Sequence, residues 1–239
     1  MTEHITTEIL YQNTELLVCR KPAGLAVQAA AGYQTDLVSE LKNRISREHG
    51  QKSPYLGLIH RLDQPVEGLL VFALTKAAAA DLSRQLTEGR LQKKYLAVLD
   101  GIPDNREGAL VHYLRKDGRN SRAVVTDGPQ AGAKRAELSY RTVARRERQC
   151  LAEIAIDTGR FHQIRAQMAH AGYPLAGDRK YGVPERTADS LALCAHRLSF
   201  YDRVSGQERR FSVWPQNPAF SAFRAEMEAF LSAEENCSR

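Results

Sequence analysis

Four short stretches of this chain gather side chains that could do chemistry. In His60-Arg61-Leu62-Asp63 a carboxylate follows two bases and leads into a turn around Pro65 and Gly68. A buried apolar run comes next, so Asp63 has a rigid support behind it and the access of a loop in front. Such a carboxylate can serve as a nucleophile or a general base, although an Asx-turn or cap role fits Asp63 taken alone. In Thr158-Gly159-Arg160-Phe161-His162-Gln163-Ile164-Arg165, cationic and polar groups crowd the first turns of a helix, against its dipole. Local conflict of that kind marks functional sites, and a solvated basic helix face is the plain alternative. Lys93-Lys94-Tyr95 opens an apolar strand, where Tyr95 is either a core ring or a site aromatic. Gly177-Asp178-Arg179-Lys180-Tyr181-Gly182 is a fourth cluster, with a packed turn as its simplest reading.

The elements that position these stretches follow from periodicity and punctuation. Leu16 to Cys19 reads as a strand running into a turn at Pro22 and Gly24. Leu37, Leu41 and Ile45 recur every four residues behind Asp36, which predicts a capped helix as far as Gly50. Leu69 to Leu74 is too short for a helix and predicts a strand buried on both faces. Thr75 caps a helix that stops at Gly89, and Tyr95 to Leu99 is a further strand. The polar, Gly- and Arg-rich segment Gly101–Gln149 predicts hairpins and exposed loops. Ala152, Ile154 and Ile156 alternate with Glu153 and Asp157, as in a half-buried strand. Thr158-Gly159 then opens a helix with the stripe Ile164, Met168, Ala171, closing at Gly172. Two strands around Ser205-Gly206 and a helix from Ala219 to Phe230 complete the chain. The expectation is α+β: one domain over residues 9–230, with flexible termini at 1–8 and 231–239.

Composition narrows the partners. With 239 residues, 43% of them hydrophobic, the chain can bury a core without staples. Cys19, Cys150, Cys194 and Cys237 fall in no metal or redox spacing, which suits a reducing cytoplasm. Met1 to Leu10 has no apolar run, so no signal peptide is expected, and no apolar stretch is long enough to span a membrane, so no membrane partner is expected. No P-loop, GxSxG elbow, HExxH, EF-hand or GxGxxG fingerprint is present, so neither metal nor cofactor is implied. The net charge is +6, which favours a polyanion partner through counterion release. Between Gly101 and Arg148, 11 Lys/Arg stand against 6 Asp/Glu, a surplus of +5. A charge that serves only solubility is the alternative there.

Together these motifs resemble the RluA family of pseudouridine synthases. The resemblance runs in order from Ile9 to Pro218. It takes in Lys21-Pro22-Ala23-Gly24-Leu25, then His60-Arg61-Leu62-Asp63 with Gly68 to Ala73, and then Lys94-Tyr95. Gly159 to Arg165, Gly177 to Gly182 and Ala195 to Phe200 follow. Two positions depart from the family pattern. Val66-Glu67 replaces a common Thr-Ser pair, and Cys194 stands where a histidine is common. No S4-type segment precedes Ile9, so RNA recognition is expected to fall to the catalytic domain.

The resemblance implies a large mixed, mostly antiparallel sheet and an enzyme that turns uridine into pseudouridine in ribosomal or transfer RNA. The N1–C1′ bond breaks, the uracil turns, and C5 joins C1′, with no cofactor. By resemblance Asp63 is the catalytic carboxylate, either attacking covalently or taking a 2′ proton. Arg165 is its ion-pair partner and Tyr95 stacks on the uracil. Arg61 fills the space vacated by the flipped nucleotide. His60, Arg160, His162 and Gln163 are expected to meet substrate. Arg115, Lys116, Arg119 and Arg122 of the basic segment are expected to meet RNA phosphates. A monomer is expected. A catalytically inactive RNA-binding relative is the rival, favoured only by Val66-Glu67.

Overall fold

Cap chemistry places the first helix where the spacing predicts it. In the computed structural model, which describes residues 7–29, 35–50, 52–126, 128–182 and 190–237, Asp36 Oδ1 accepts from Ser39 N at 2.8 Å. Helix α1 (Leu37–His49) then runs to Gly50, which ends it in the left-handed conformation at φ 67°. Thr75 caps α2 (Lys76–Thr87) in the same manner, through its hydroxyl and Ala78 N. The described residues form an α+β chain of eleven strands and four α-helices. It divides into two compact units: residues 1–93 with 195–214, and residues 94–194 with 215–239.

The first unit is built on apolar strands. β1 (Glu8–Gln12), β2 (Leu16–Lys21) and β4 (Glu67–Ala73) lie side by side, and the short β3 (Gly57–Leu58) also pairs β4. All of these pairings are antiparallel. Every residue of β2 and β4 is buried, as the unbroken apolar run requires. Their register sets Lys21 opposite Gly68, so the last residue of β2 meets the first turn of the chain beyond Asp63. Gly68 has φ +123°, and a Cβ there would lie 2.3 Å from Ala195 O, so no other residue fits. β10 (Leu193–Asp202) and β11 (Gln207–Ser212) form the expected hairpin over Gly206.

The second unit orders its strands β5-β9-β8-β6-β7, all antiparallel: β5 (Gln92–Asp100), β6 (Glu107–Asp117), β7 (Arg122–Thr126), β8 (Ala133–Arg146) and β9 (Gln149–Ile156). The segment expected to be hairpins and exposed loops does form hairpins, β6–β7 and β8–β9, with longer strands and less loop than expected. Its charges lie largely on one face, while Leu114, Ala123, Ala136 and Leu138 are buried on the other. The centre of β9 is buried on both faces, not one. Glu153 is tolerated there because Lys94 Nζ and Arg141 Nη2 each approach its carboxylate at 3.2 Å.

Two helices also differ from the sequence expectation. α3 (Gln163–His170) has eight residues and no amphipathic stripe, since Gln163 through Met168 are all buried. Its entry turn is made by His162 at φ 51°, and Gly159 has no positive φ. At the end of the chain, Pro218–Phe223 is a 3-10 turn capped by Asn217, and α4 (Arg224–Cys237) follows it. Buried Leu231 carries the helix past Phe230. Of the termini expected to be flexible, residues 1–6 and 238–239 lie outside the described residues. Thr7 N donates to Glu40 at 2.9 Å and Glu8 belongs to β1, so the order begins earlier than residue 9.

Candidate active site

In the first unit, Asp63 is half-buried on a turn closed by Val66 N donating to Asp63 O at 3.0 Å. The turn is held from beneath by Lys21, whose side chain is fully buried. The ammonium spends its three N–H donors on Pro22 O (2.8 Å), Leu25 O (2.7 Å) and Gln64 O (3.0 Å). Gly24 N donates to Gln64 O at 2.9 Å and Gln64 Nε2 donates to Gly24 O at 3.0 Å, so the 21–25 loop and the Asp63 loop form one clasp. Burial pulls the Lys21 pKa down to about 8, against the opposing pull of the Asp63 and Glu67 carboxylates.

The residues around Asp63 divide by exposure. Arg61 is exposed, with Nη2 donating to Gln28 Oε1 at 3.3 Å, as a substrate-facing cation would be. His60 is instead buried, and neither ring nitrogen has a hydrogen-bond partner. Burial, helped by the nearby Lys93 ammonium, pushes its pKa down to about 3, so the ring is neutral. The Val66-Glu67 departure is taken up by the core. Val66 is buried, and Glu67 meets Arg20 Nη2 at 3.4 Å, while Arg20 also donates to Trp214 O at 2.5 Å. Cys194 is a buried thiol in β10.

In the second unit, Arg165 is buried in the first turn of α3. Within that unit its fork closes on Asp178: Nε to Oδ2 and Nη2 to Oδ1, both at 2.8 Å. This two-point pairing fixes the guanidinium plane. Burial alone would raise the Asp178 pKa, but the Arg165 hydrogen bonds and charge, with Lys180 N and Tyr181 N, hold it below the usual carboxylate range. Asp178 is thus the partner of a candidate site residue, and sequence reasoning passed over it. Its signal was the Gly177–Gly182 cluster, read there only as a turn. Tyr95 is buried in β5 opposite Ile154.

His162 and Gln163 are buried and brace the approach to Arg165. Gln163 Oε1 accepts from Thr158 Oγ1 (2.7 Å) and Arg160 N (3.0 Å), and its Nε2 donates to Glu137 O (2.8 Å). His162 Nδ1 lies 2.9 Å from Tyr181 Oη, which accepts from Ala123 N at 2.6 Å. Arg160 is exposed and donates from Nε to Arg135 O at 2.9 Å. The four basic-segment cations are all exposed but spread out. Lys116 lies over the Phe161 ring and Arg122 over the Tyr181 ring, at 5.0 and 4.8 Å from the centroids. Arg119 sits in the β6–β7 turn, and Arg115 faces Val124 and Ala133 in mid-sheet.

Comparison with known proteins identifies the family of the chain. The profile of the RNA pseudouridylate synthase family matches residues 15–170. The ribosomal large subunit pseudouridine synthase D of Zymomonas mobilis is 34% identical over 226 residues, covering 88% of this chain and 70% of that protein. The uncharacterized RNA pseudouridine synthase YlyB of Bacillus subtilis is 34% identical over 221 residues, covering 89% and 70%. Human RNA pseudouridylate synthase domain containing 4 shares the fold: its TM-score is 0.73 at 23% identity, over 87% of this chain and 89% of that one. The chain belongs to the RNA pseudouridylate synthase family, enzymes that isomerise uridine in RNA to pseudouridine.

Proposed function

We propose that the chain modifies uridines of ribosomal RNA in the cytoplasm, with Asp63 as the catalytic carboxylate. The names of its relatives point to the large-subunit ribosomal RNA, in preference to transfer RNA. The catalytic assignment rests on one observation above others: Asp63 is half-buried on a turn whose neighbouring carbonyl is pinned by the buried Lys21 ammonium. A carboxylate so held is oriented before substrate arrives, which spares reorganisation at the moment of reaction.

The target uridine must leave the stack, at a cost of a few kcal/mol. The exposed Arg61 guanidinium is suited to offset this by occupying the vacated space. Asp63 then acts at the sugar, N1–C1′ breaks, the uracil turns, and C5 bonds to C1′. The C5 proton is lost and N1 regains one, so nothing is oxidised and no group is exchanged. Tyr95 stacks on the uracil. Arg165, its plane set by Asp178, is the cation that the family resemblance assigns to the same chemistry. Asp63→Asn is expected to abolish pseudouridine formation on unmodified ribosomal RNA while the fold and RNA affinity stay near wild type. Turnover by the purified variant would remove Asp63 from this role.

A further inference from the structure

Phe161 stands out against its neighbours. The seven residues that follow it, His162 to Met168, are all buried, yet Phe161 is 38% exposed. The chain reaches this arrangement through His162 at φ 51°, a left-handed conformation that costs a non-glycine residue about 1 kcal/mol or more. That turn drives the imidazole inward and leaves the phenyl ring outside. Phe161 then stacks on His162, with centroids 3.8 Å apart and planes 20° apart. His162 is itself fixed by the Tyr181 hydroxyl and by edge contact with the Tyr181 ring at 5.7 Å. Tyr181 is held by Ala123 N and lies 5.3 Å from the Arg165 guanidinium carbon. The exposed ring is therefore the end of a braced aromatic column that starts beside the candidate catalytic arginine.

Cations surround it. The Lys116 ammonium is 5.0 Å from the Phe161 centroid, Arg160 is the preceding residue and exposed, and Arg122 lies on the Tyr181 ring. The exposed Asp157 is the opposing charge nearby in sequence. A fixed aromatic face ringed by Lys and Arg is the arrangement that binds single-stranded nucleic acid, with the base on the ring and phosphates on the cations.

We propose that Phe161 is a stacking subsite for an unpaired RNA base flanking the target uridine, with Lys116 and Arg160 taking the adjoining phosphates. The proposal rests on the chain's acting on RNA, and its test reads binding apart from turnover. Because the ring is already held in place, little ordering is needed when a base arrives. The incoming base takes the outer face of Phe161, and Lys116 moves from the ring to the phosphate.

The test uses the full-length chain and an unmodified large-subunit ribosomal RNA transcript. Phe161→Leu should weaken affinity by roughly 5- to 150-fold, the range for loss of one stacked base. The slope of affinity against salt should stay that of the wild type, since no phosphate contact is lost. Phe161→Trp should restore affinity, and its indole should be quenched on RNA addition beyond any quenching of Trp214, the chain's one tryptophan. Turnover at saturating RNA should remain near wild type in both variants. Wild-type affinity in Phe161→Leu, or a Trp variant no better than the Leu variant and unquenched, would overturn the subsite. Absence of pseudouridine formation by the wild type, with these affinity changes intact, would overturn the catalytic reading and leave the subsite standing.

Discussion

His60 should make this fold weaken in acid. Its ring is buried with both nitrogens unpartnered and beside the buried Lys93, and it takes a proton only near pH 3. In the unfolded chain the same imidazole protonates near pH 6.5. Between those values the unfolded state holds more protons than the folded one, so stability falls as pH falls. The contribution is whole above about pH 7 and is lost progressively down to about pH 3. At about 1.36 kcal/mol per pH unit, going from pH 6.5 to 5 costs about 2 kcal/mol. Lys93, whose pKa is pulled down to about 8, titrates above this window and does not blur it. His60→Leu removes both the proton site and the two buried nitrogens, whose burial costs about 1–3 kcal/mol when unpaired. The variant should be at least as stable as wild type at pH 7, and about 2 kcal/mol better than wild type at pH 5 relative to that difference. Urea denaturation of both proteins at the two pH values measures this directly. Parallel losses of stability between pH 7 and 5 would refute the reasoning. RNA titration of the same variant separates the roles: a buried His60 predicts unchanged affinity, whereas a substrate contact predicts a loss.

Asp178→Asn should destabilise the chain by about 1.5–3 kcal/mol at pH 7, because it removes the carboxylate that takes the Arg165 fork at two points. The Asp178 pKa is depressed in the folded state, so its contribution is complete at neutral pH and lost as pH falls below about 4; denaturation midpoints of variant and wild type should converge there. Replacing Arg115, Lys116, Arg119 and Arg122 together with Ser should weaken RNA binding most at low salt and shallow the salt dependence, while turnover on bound RNA stays near normal. Equal salt slopes would leave the β6–β7 hairpin without phosphate contacts.

Where the sequence was legible, the cause lay within a few residues. Asp36 and Thr75 cap helices because a short side-chain oxygen reaches a backbone N–H two or three residues on, and that needs no distant partner. Leu69 to Ala73 could only be a strand buried on both faces. What escaped depended on partners far along the chain. Leu114, Ala123, Ala136 and Leu138 are too sparse among the charges of Gly101–Gln149 to set the bounds and order of the hairpin strands. The alternation acquires meaning only when β6 lies between β7 and β8. Lys21 gave no sign in sequence that its ammonium would bind Gln64 O, 43 residues away.

The same distinction explains the cluster before and within α3. Read locally, Arg160, His162, Gln163 and Arg165 set cations against a helix dipole, a conflict that pointed to function. In the fold the conflict is resolved piece by piece. Arg160 and His162 precede the helix, and Gln163 turns its amide to the loop and to Glu137 O. The Arg165 charge is met by Asp178, thirteen residues on and in a separate motif. The local clash and the remote carboxylate are thus two halves of one device, so the sequence signal for a functional arginine was incomplete until its counter-ion was found. Asp178 gives the buried guanidinium a carboxylate at two points, and the same two bonds fix its plane. Stability and function are expected to be coupled at this residue, since the buried pair also orients the arginine proposed to serve the chemistry.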